Sequence, residues 1–188
     1  MRKIFKLSPL SFIIFGVFLF SLHPYAQTPK SDQDRVNDIH QIASIIEEYK
    51  KIKGHYPFAE NWQNVPDNMV AVPILVHISS YELPEEFRYP PARMSATVIT
   101  TEEFEEYLSK GLTRPIKLPR DDRPIKSSQG NWPYFYQFQY DGHNYFLSCY
   151  LTSALPFSRK LGDKLYKYEV GSIAIPQRMT RKFSDIKN

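Results

Sequence analysis

Asp121 and Asp122, in the stretch LPRDDRP, are the acidic pair in a loop that a hard cation such as calcium could use. Calcium takes roughly six to eight oxygen ligands from a looped segment, and two adjacent carboxylates supply few of them. Arg120 and Arg123 flank the pair and offer charge compensation. The residue types therefore favour an Asp-mediated turn over a metal site, and no cofactor is expected. The histidines beyond the leader are His40, His55, His77 and His143, and no two have the close spacing of a zinc pair. Cys149, the one cysteine, sits in the strand-like run SCYL and reads as a buried, inert thiol. The chain has no glycine-rich phosphate loop and no Gly-x-Ser-x-Gly elbow. These readings point to a protein that is not an enzyme.

Aromatic residues are plentiful, and many fall between Trp132 and Ser153. A stacking platform for single-stranded nucleic acid would interleave them with Lys or Arg. This run contains neither, so the interior of a sheet is the expected use and no nucleic-acid partner is expected. The formal charge of +4 points the same way. Three of the positive charges, Arg2, Lys3 and Lys6, lie in a basic start followed by the apolar run Leu10–Leu22. That layout is a secretory signal peptide, with the cut expected between Ala26 and Gln27. Its loss leaves a formal charge of +1 and one domain over residues 27–188. The expected location is periplasmic or secreted. The alternative is an inner-membrane anchor formed by residues 7–22, which would make the membrane a partner.

The elements that must position these residues follow from local patterns. Ser31 and Asp34 form a capping box, Val36, Ile39, Ile42, Ala43, Ile46 and Tyr49 a helical stripe, and Gly54 a stop. Ile45 and Ile52 widen the stripe. Thr100 and Glu103 cap a second helix, Thr101–Lys110, which Gly111 ends; its glutamates read as a solvated face. The stretch MVAVPILVHI reads as a strand that Pro73 demotes to a sheet edge or breaks. Ala96–Thr100 reads as a short strand. Asp141-Gly142 predicts a two-residue hairpin turn that pairs Tyr140 with His143 and Phe138 with Tyr145. In that hairpin Tyr134, Tyr136, Phe138, Tyr140, His143, Tyr145, Leu147 and Cys149 face the core. A loop over 156–163 and a last strand over 165–175 follow.

The helix with Asp38, Ile42, Ala43 and Tyr49, followed by Gly54, Tyr56 and Pro57 in a Gly-x-Tyr-Pro exit, resembles the type IV pilin superfamily. It is most similar to the major pseudopilin of type II secretion systems. The stretch KLPRDDRP and the Tyr-rich run after it resemble that family's Leu-Pro-x-Asp-Pro turn and sheet. The resemblance covers residues 34–58 and 117–151, while residues 61–100 read as an insertion. It implies an α+β fold, with a long N-terminal helix packed on an antiparallel sheet and one additional short helix. It also implies action through contacts with a protein partner in the envelope or the secretion machinery. The leader departs from the family's: Gly16 precedes Val17, and no acidic residue occurs before Asp32. The alternative function is a small exported ligand-binding protein or enzyme, with a pocket formed by the insertion against the sheet.

Overall fold

The computed structural model describes residues 29–62, 73–83, 96–124 and 134–172. The expected leader, its Ala26–Gln27 junction and residues 7–22 lie outside them, as do most of the 61–100 insertion and the end of the strand expected over 165–175. Among the described residues no helix is long and apolar enough to cross a membrane.

Helix α1 spans Asp32–Lys53. Ser31 and Asp34 close the expected capping box, and Asp32 and Asp34 stand at the positive end of the helix dipole. Val36, Ile39, Ile42, Ile46 and Tyr49 are buried on one stripe, which packs on the sheet and on the second helix. Ile52 instead points to solvent, 57% exposed, because it follows the last turn that the sheet covers. Gly54 ends the helix at φ 80°, with its N–H donated to the Lys50 carbonyl at 2.8 Å. The chain then enters the core at once. Tyr56 meets the Tyr145 ring at 5.0 Å, and Phe58 lies 4.3 Å from the Tyr107 ring. A 3-10 turn over Ala59–Trp62 follows.

Helix α2 spans Thr101–Leu112 behind its Thr100/Glu103 capping box. Gly111 does not end it. The turn out comes at Thr113, with φ 54°, and Gly111 lies inside the last turn. A side-chain carbon at Gly111 would stand 2.1 Å from the Tyr49 ring, so this glycine sets how closely α1 and α2 approach. Glu105 corrects the expected solvated acidic face. It is 3% exposed and accepts bonds from Lys117 Nζ at 2.8 Å, Leu118 N at 2.9 Å and Arg120 Nη2 at 3.1 Å.

The fold is α+β, with one sheet of six strands in the order β2-β1-β3-β4-β6-β5. The strands are β1 Ile74–Ile78, β2 Thr97–Ile99, β3 Tyr136–Tyr140, β4 Tyr145–Leu151, β5 Arg159–Gly162 and β6 Leu165–Gly171. The sheet is mixed rather than antiparallel, because β2 pairs β1 in parallel. Strand β1 is not an edge: Pro73 precedes it, so the missing N–H falls outside the ladder and β2 covers its outer side. Strand β5 occupies part of the expected 156–163 loop and forms the opposite edge.

The β3–β4 hairpin keeps most of the expected core face but has a different register, and His143, expected on that face, lies exposed in the connection. Tyr140 pairs Tyr145 and Phe138 pairs Leu147. The Asp141 carboxylate accepts from the N–H groups of His143 and Asn144, which holds a longer connection in place of a two-residue turn. A shift of two residues keeps every side chain on its face. Tyr136, Phe138, Tyr140, Tyr145, Leu147 and Cys149 are therefore all buried in the core beneath α1. Burial pushes the Cys149 thiol up to about 12, which keeps it protonated and unreactive.

Candidate functional site

Two neighbouring places gather polar chemistry. The first is a corner where the start of α1 meets the Asp121–Arg123 turn and the end of β4. Asp121 is fully buried and Arg35 is 4% exposed. Arg35 reaches Asp121 at 3.4 Å and Asp122 at 2.9 Å. Arg123 grips Asp121 with two bonds, Nε to Oδ1 at 3.1 Å and Nη2 to Oδ2 at 2.6 Å, and also donates to the Tyr150 carbonyl at 2.6 Å. Its guanidinium lies 4.0 Å over the Tyr134 ring. Lys30 donates its backbone N–H to Asp122 at 2.8 Å and its ammonium to Asp38 at 2.6 Å. Tyr136 donates to the same Asp38 carboxylate at 2.5 Å. Burial and that bond push the Tyr136 phenol well above its ordinary range.

Asp32 completes the corner from the first turn of α1. One of its oxygens accepts from the backbone and hydroxyl of both Thr152 and Ser153, at 2.7–2.9 Å. Desolvation opposes its ionisation, but those bonds outweigh it and hold the carboxyl below the usual range. Asp122 is lowered too: desolvation is outweighed by the Lys30 N–H and the Arg35 charge. In this corner cations already stand where a divalent ion would bind. Among the described residues no group of three or more His, Cys, Asp or Glu is placed to hold a metal. Asp121 and Asp122, the candidate metal ligands, are thus brought together with arginines. Arg123 makes the expected compensation. Arg120 does not, turning instead to Glu102 and Glu105.

Arg35 is the participant that reading the sequence missed. A signal existed: Arg35 falls in step with Ile39, Ile42, Ile46 and Tyr49, so a cation occupies the core side of the helix. Such a position needs a buried acid; Asp32, three residues earlier, approaches it at 3.7 Å, while the closer contacts come from Asp121 and Asp122, far off in sequence.

The second place is a cleft of about 550 Å³ beside the first. Backbone joins the two, since Ser79 bridges Asp121 and Ser80 N–H donates to the Asp121 carbonyl at 3.0 Å. The cleft lies between residues 79–83, which leave β1, and residues 98–102, which run from β2 into α2. Val98, Ile99 and Leu83 supply apolar wall, while Glu82, Glu102 and Arg120 supply charge. His77 lines it from β1, 7% exposed and stacked on Phe135 at 4.2 Å. Its Nε2 meets the Gln137 amide nitrogen at 3.3 Å, which makes Nε2 the acceptor and places the ring proton on Nδ1. Nδ1 has no partner. Burial lowers the His77 imidazole to about 4.

No protein-family model, curated protein or solved structure matches the chain.

Proposed function

We propose that the protein is exported and non-enzymatic, and that a pilin-like domain lets it act through protein contacts in the cell envelope. One observation carries this reading: the segments that resemble the pilin superfamily form a single packed unit. Arg35 ties the start of α1 to the Asp121–Asp122 turn. Tyr56, at the Gly-x-Tyr-Pro exit, seats on Tyr145 and Tyr140 of the sheet. The helix, the exit and the Asp turn are far apart in sequence, and each needs the others for its burial. A rigid helix-on-sheet unit of this kind offers its outer surface as a scaffold for contacts.

Crosslinking in the native envelope tests the reading. Recurrent crosslinks to one envelope protein, from the same few lysines, are expected. Crosslinks that follow neighbour abundance alone would sink it. Intact mass tests the export half: a chain starting at Gln27 is expected, and a mass that retains residues 7–22 would mean an anchored protein.

The cleft supports a second reading, a small ligand-binding protein. Its volume of about 550 Å³ falls within the usual range of ligand sites, roughly 300–1,000 Å³. Native mass spectrometry of protein taken from its own envelope would then show a bound small molecule, and Val98→Arg would abolish it.

A further inference from the structure

The cleft stands at the carboxyl ends of the two parallel strands, where β1 passes into residues 79–83 and β2 into the start of α2. In open sheets with parallel strands, ligands lodge at those ends. What this cleft would hold follows from which of its polar groups are already engaged. Its charges are. Arg120 pairs with Glu102 at 2.9 Å and with Glu105 at 3.1 Å. The positive end of α2 is met by Glu102 and Glu103 in its first turn. Glu82 has an interaction of its own. The hydroxyls are engaged too. Thr101 donates to the His77 carbonyl at 3.0 Å, Thr100 closes the capping box, and Ser79 accepts from Tyr81 N–H at 3.1 Å. Ser80 is exposed and open to water.

His77 is the exception. Among the described residues three buried side-chain atoms have no hydrogen-bond partner, and Nδ1 of His77 is the one in a residue that lines the cleft. The ring is fixed in place: it stacks on Phe135 at 4.2 Å, and its Nε2 accepts from Gln137 at 3.3 Å. A ring so held cannot carry its Nδ1 proton to another partner. Burial keeps the imidazole uncharged, so it offers a donor and no charge. A buried donor left unmatched bears the full cost of its desolvation, and an acceptor brought in from outside would relieve it.

We infer that the cleft holds a neutral, largely apolar small molecule whose carbonyl-type oxygen accepts a hydrogen bond from Nδ1–H of His77. This rests on the second reading above, that the protein binds a small ligand, and it names the class of ligand and the atom that recognises it. Val98, Ile99 and Leu83 cover the apolar body of such a molecule. A carboxylate would meet Glu82 and Glu102, while the cation of the cleft, Arg120, is already held by two acids. An ammonium would bring donors to a site whose unmatched group is itself a donor.

Nuclear magnetic resonance titration tests the inference with phenyl probes of similar size: acetophenone, cumene, benzoate and benzylammonium. Acetophenone and cumene have nearly the same shape and differ in the carbonyl oxygen. The methyl signals of Leu83, Val98 and Ile99 report occupancy, and the nitrogen signal of His77 Nδ1 reports the bond. Acetophenone should bind about tenfold more tightly than cumene, and more tightly than either ion, and should move the Nδ1 signal. His77→Phe keeps a ring against Phe135 and removes the donor. In that variant acetophenone should fall to the level of cumene. Should His77→Phe fold poorly, the order of the probes and the Nδ1 signal in the wild type still decide.

Equal binding of acetophenone and cumene to the wild type overturns the inference. So does an order headed by benzoate or benzylammonium, a bound acetophenone that leaves the Nδ1 signal in place, or a His77 ring that carries its proton on Nε2. A preference for acetophenone that survives in His77→Phe overturns it too, as does a cleft that takes none of the probes. Native mass spectrometry of protein from its own envelope separates this failure from that of the second reading. A charged small molecule retained there would keep the protein a ligand binder while this inference fails. No retained molecule and no bound probe would remove both.

Discussion

The corner around Asp121 and the cleft beside His77 share the backbone of Ser79 and Ser80, yet they handle buried polarity in opposite ways. In the corner every carboxylate meets a cation or several N–H groups, and desolvation is offset by short, directed bonds, although Asp32 Oδ1 and Arg123 Nη1 have no hydrogen-bond partner. In the cleft a buried imidazole keeps one nitrogen without a partner and stays neutral. The difference teaches where each region stores its stability. A paired ionic corner is lost when one partner is removed. A neutral buried base is lost when acid forces a charge into it.

The largest expected effect comes from the corner. Asp121→Ala leaves Arg35 and Arg123 buried without the carboxylate they share, and should cost about 3–5 kcal/mol. Urea denaturation measures it. The triple change Asp121→Leu, Arg35→Met, Arg123→Met should cost markedly less than the single one, because it removes the stranded charges with their partner. Equal costs for the two would mean that the corner contributes packing and not charge.

The cleft gives the next effect, and pH separates it from the corner. His77 is lowered by burial from 6.5 to about 4. Above about pH 6.5 it is neutral in both folded and unfolded chains. As the pH falls from there towards 4, the unfolded chain takes up a proton that the folded one refuses. Stability should therefore drop across that window, by roughly 3 kcal/mol in total. Asp32 and Asp122 have folded values below 3.8, so their contribution is full above that pH and fails only beneath it. Denaturation curves at intervals from pH 7 to 4 should show the loss in the wild type and its absence in His77→Phe. Parallel curves for the two would remove His77 as the cause.

Much of the fold was legible because it is local. Both capping boxes, the Gly54 stop and the core face of the hairpin depend on residues within a few positions of one another. The parallel pairing of β1 with β2 depends on a crossover that no short window contains. The hairpin register turned on one side chain, Asp141, holding two N–H groups. Gly111 looked like a helix stop, and only the Tyr49 ring from the other helix shows why it is a glycine. The site divides in the same way. Arg123 lies two residues from Asp121 and was expected to pair with it, while Arg35 lies 86 residues away and was missed. Nothing in sequence spacing places His77 at a cleft, since residues 98–102 form its far side.

The smallest expected effect is none, and it bears on the corner alone. If the cations already present are what hold Asp121 and Asp122, added calcium has nothing to bind. Arg35 takes one oxygen of Asp122 and Lys30 N–H takes the other. Arg123 takes both oxygens of Asp121. A calcium ion would have to displace at least one guanidinium from these carboxylates. Thermal unfolding with excess chelator, and then with millimolar calcium, should therefore give the same midpoint. A ligand bound to the folded chain alone and present at about a hundred times its dissociation constant would add roughly 2.7 kcal/mol. In a domain of this size that is a rise of several degrees. Such a rise, abolished by Asp122→Asn, would show that the ion displaces Arg35 and that the corner is as open to exchange as the cleft.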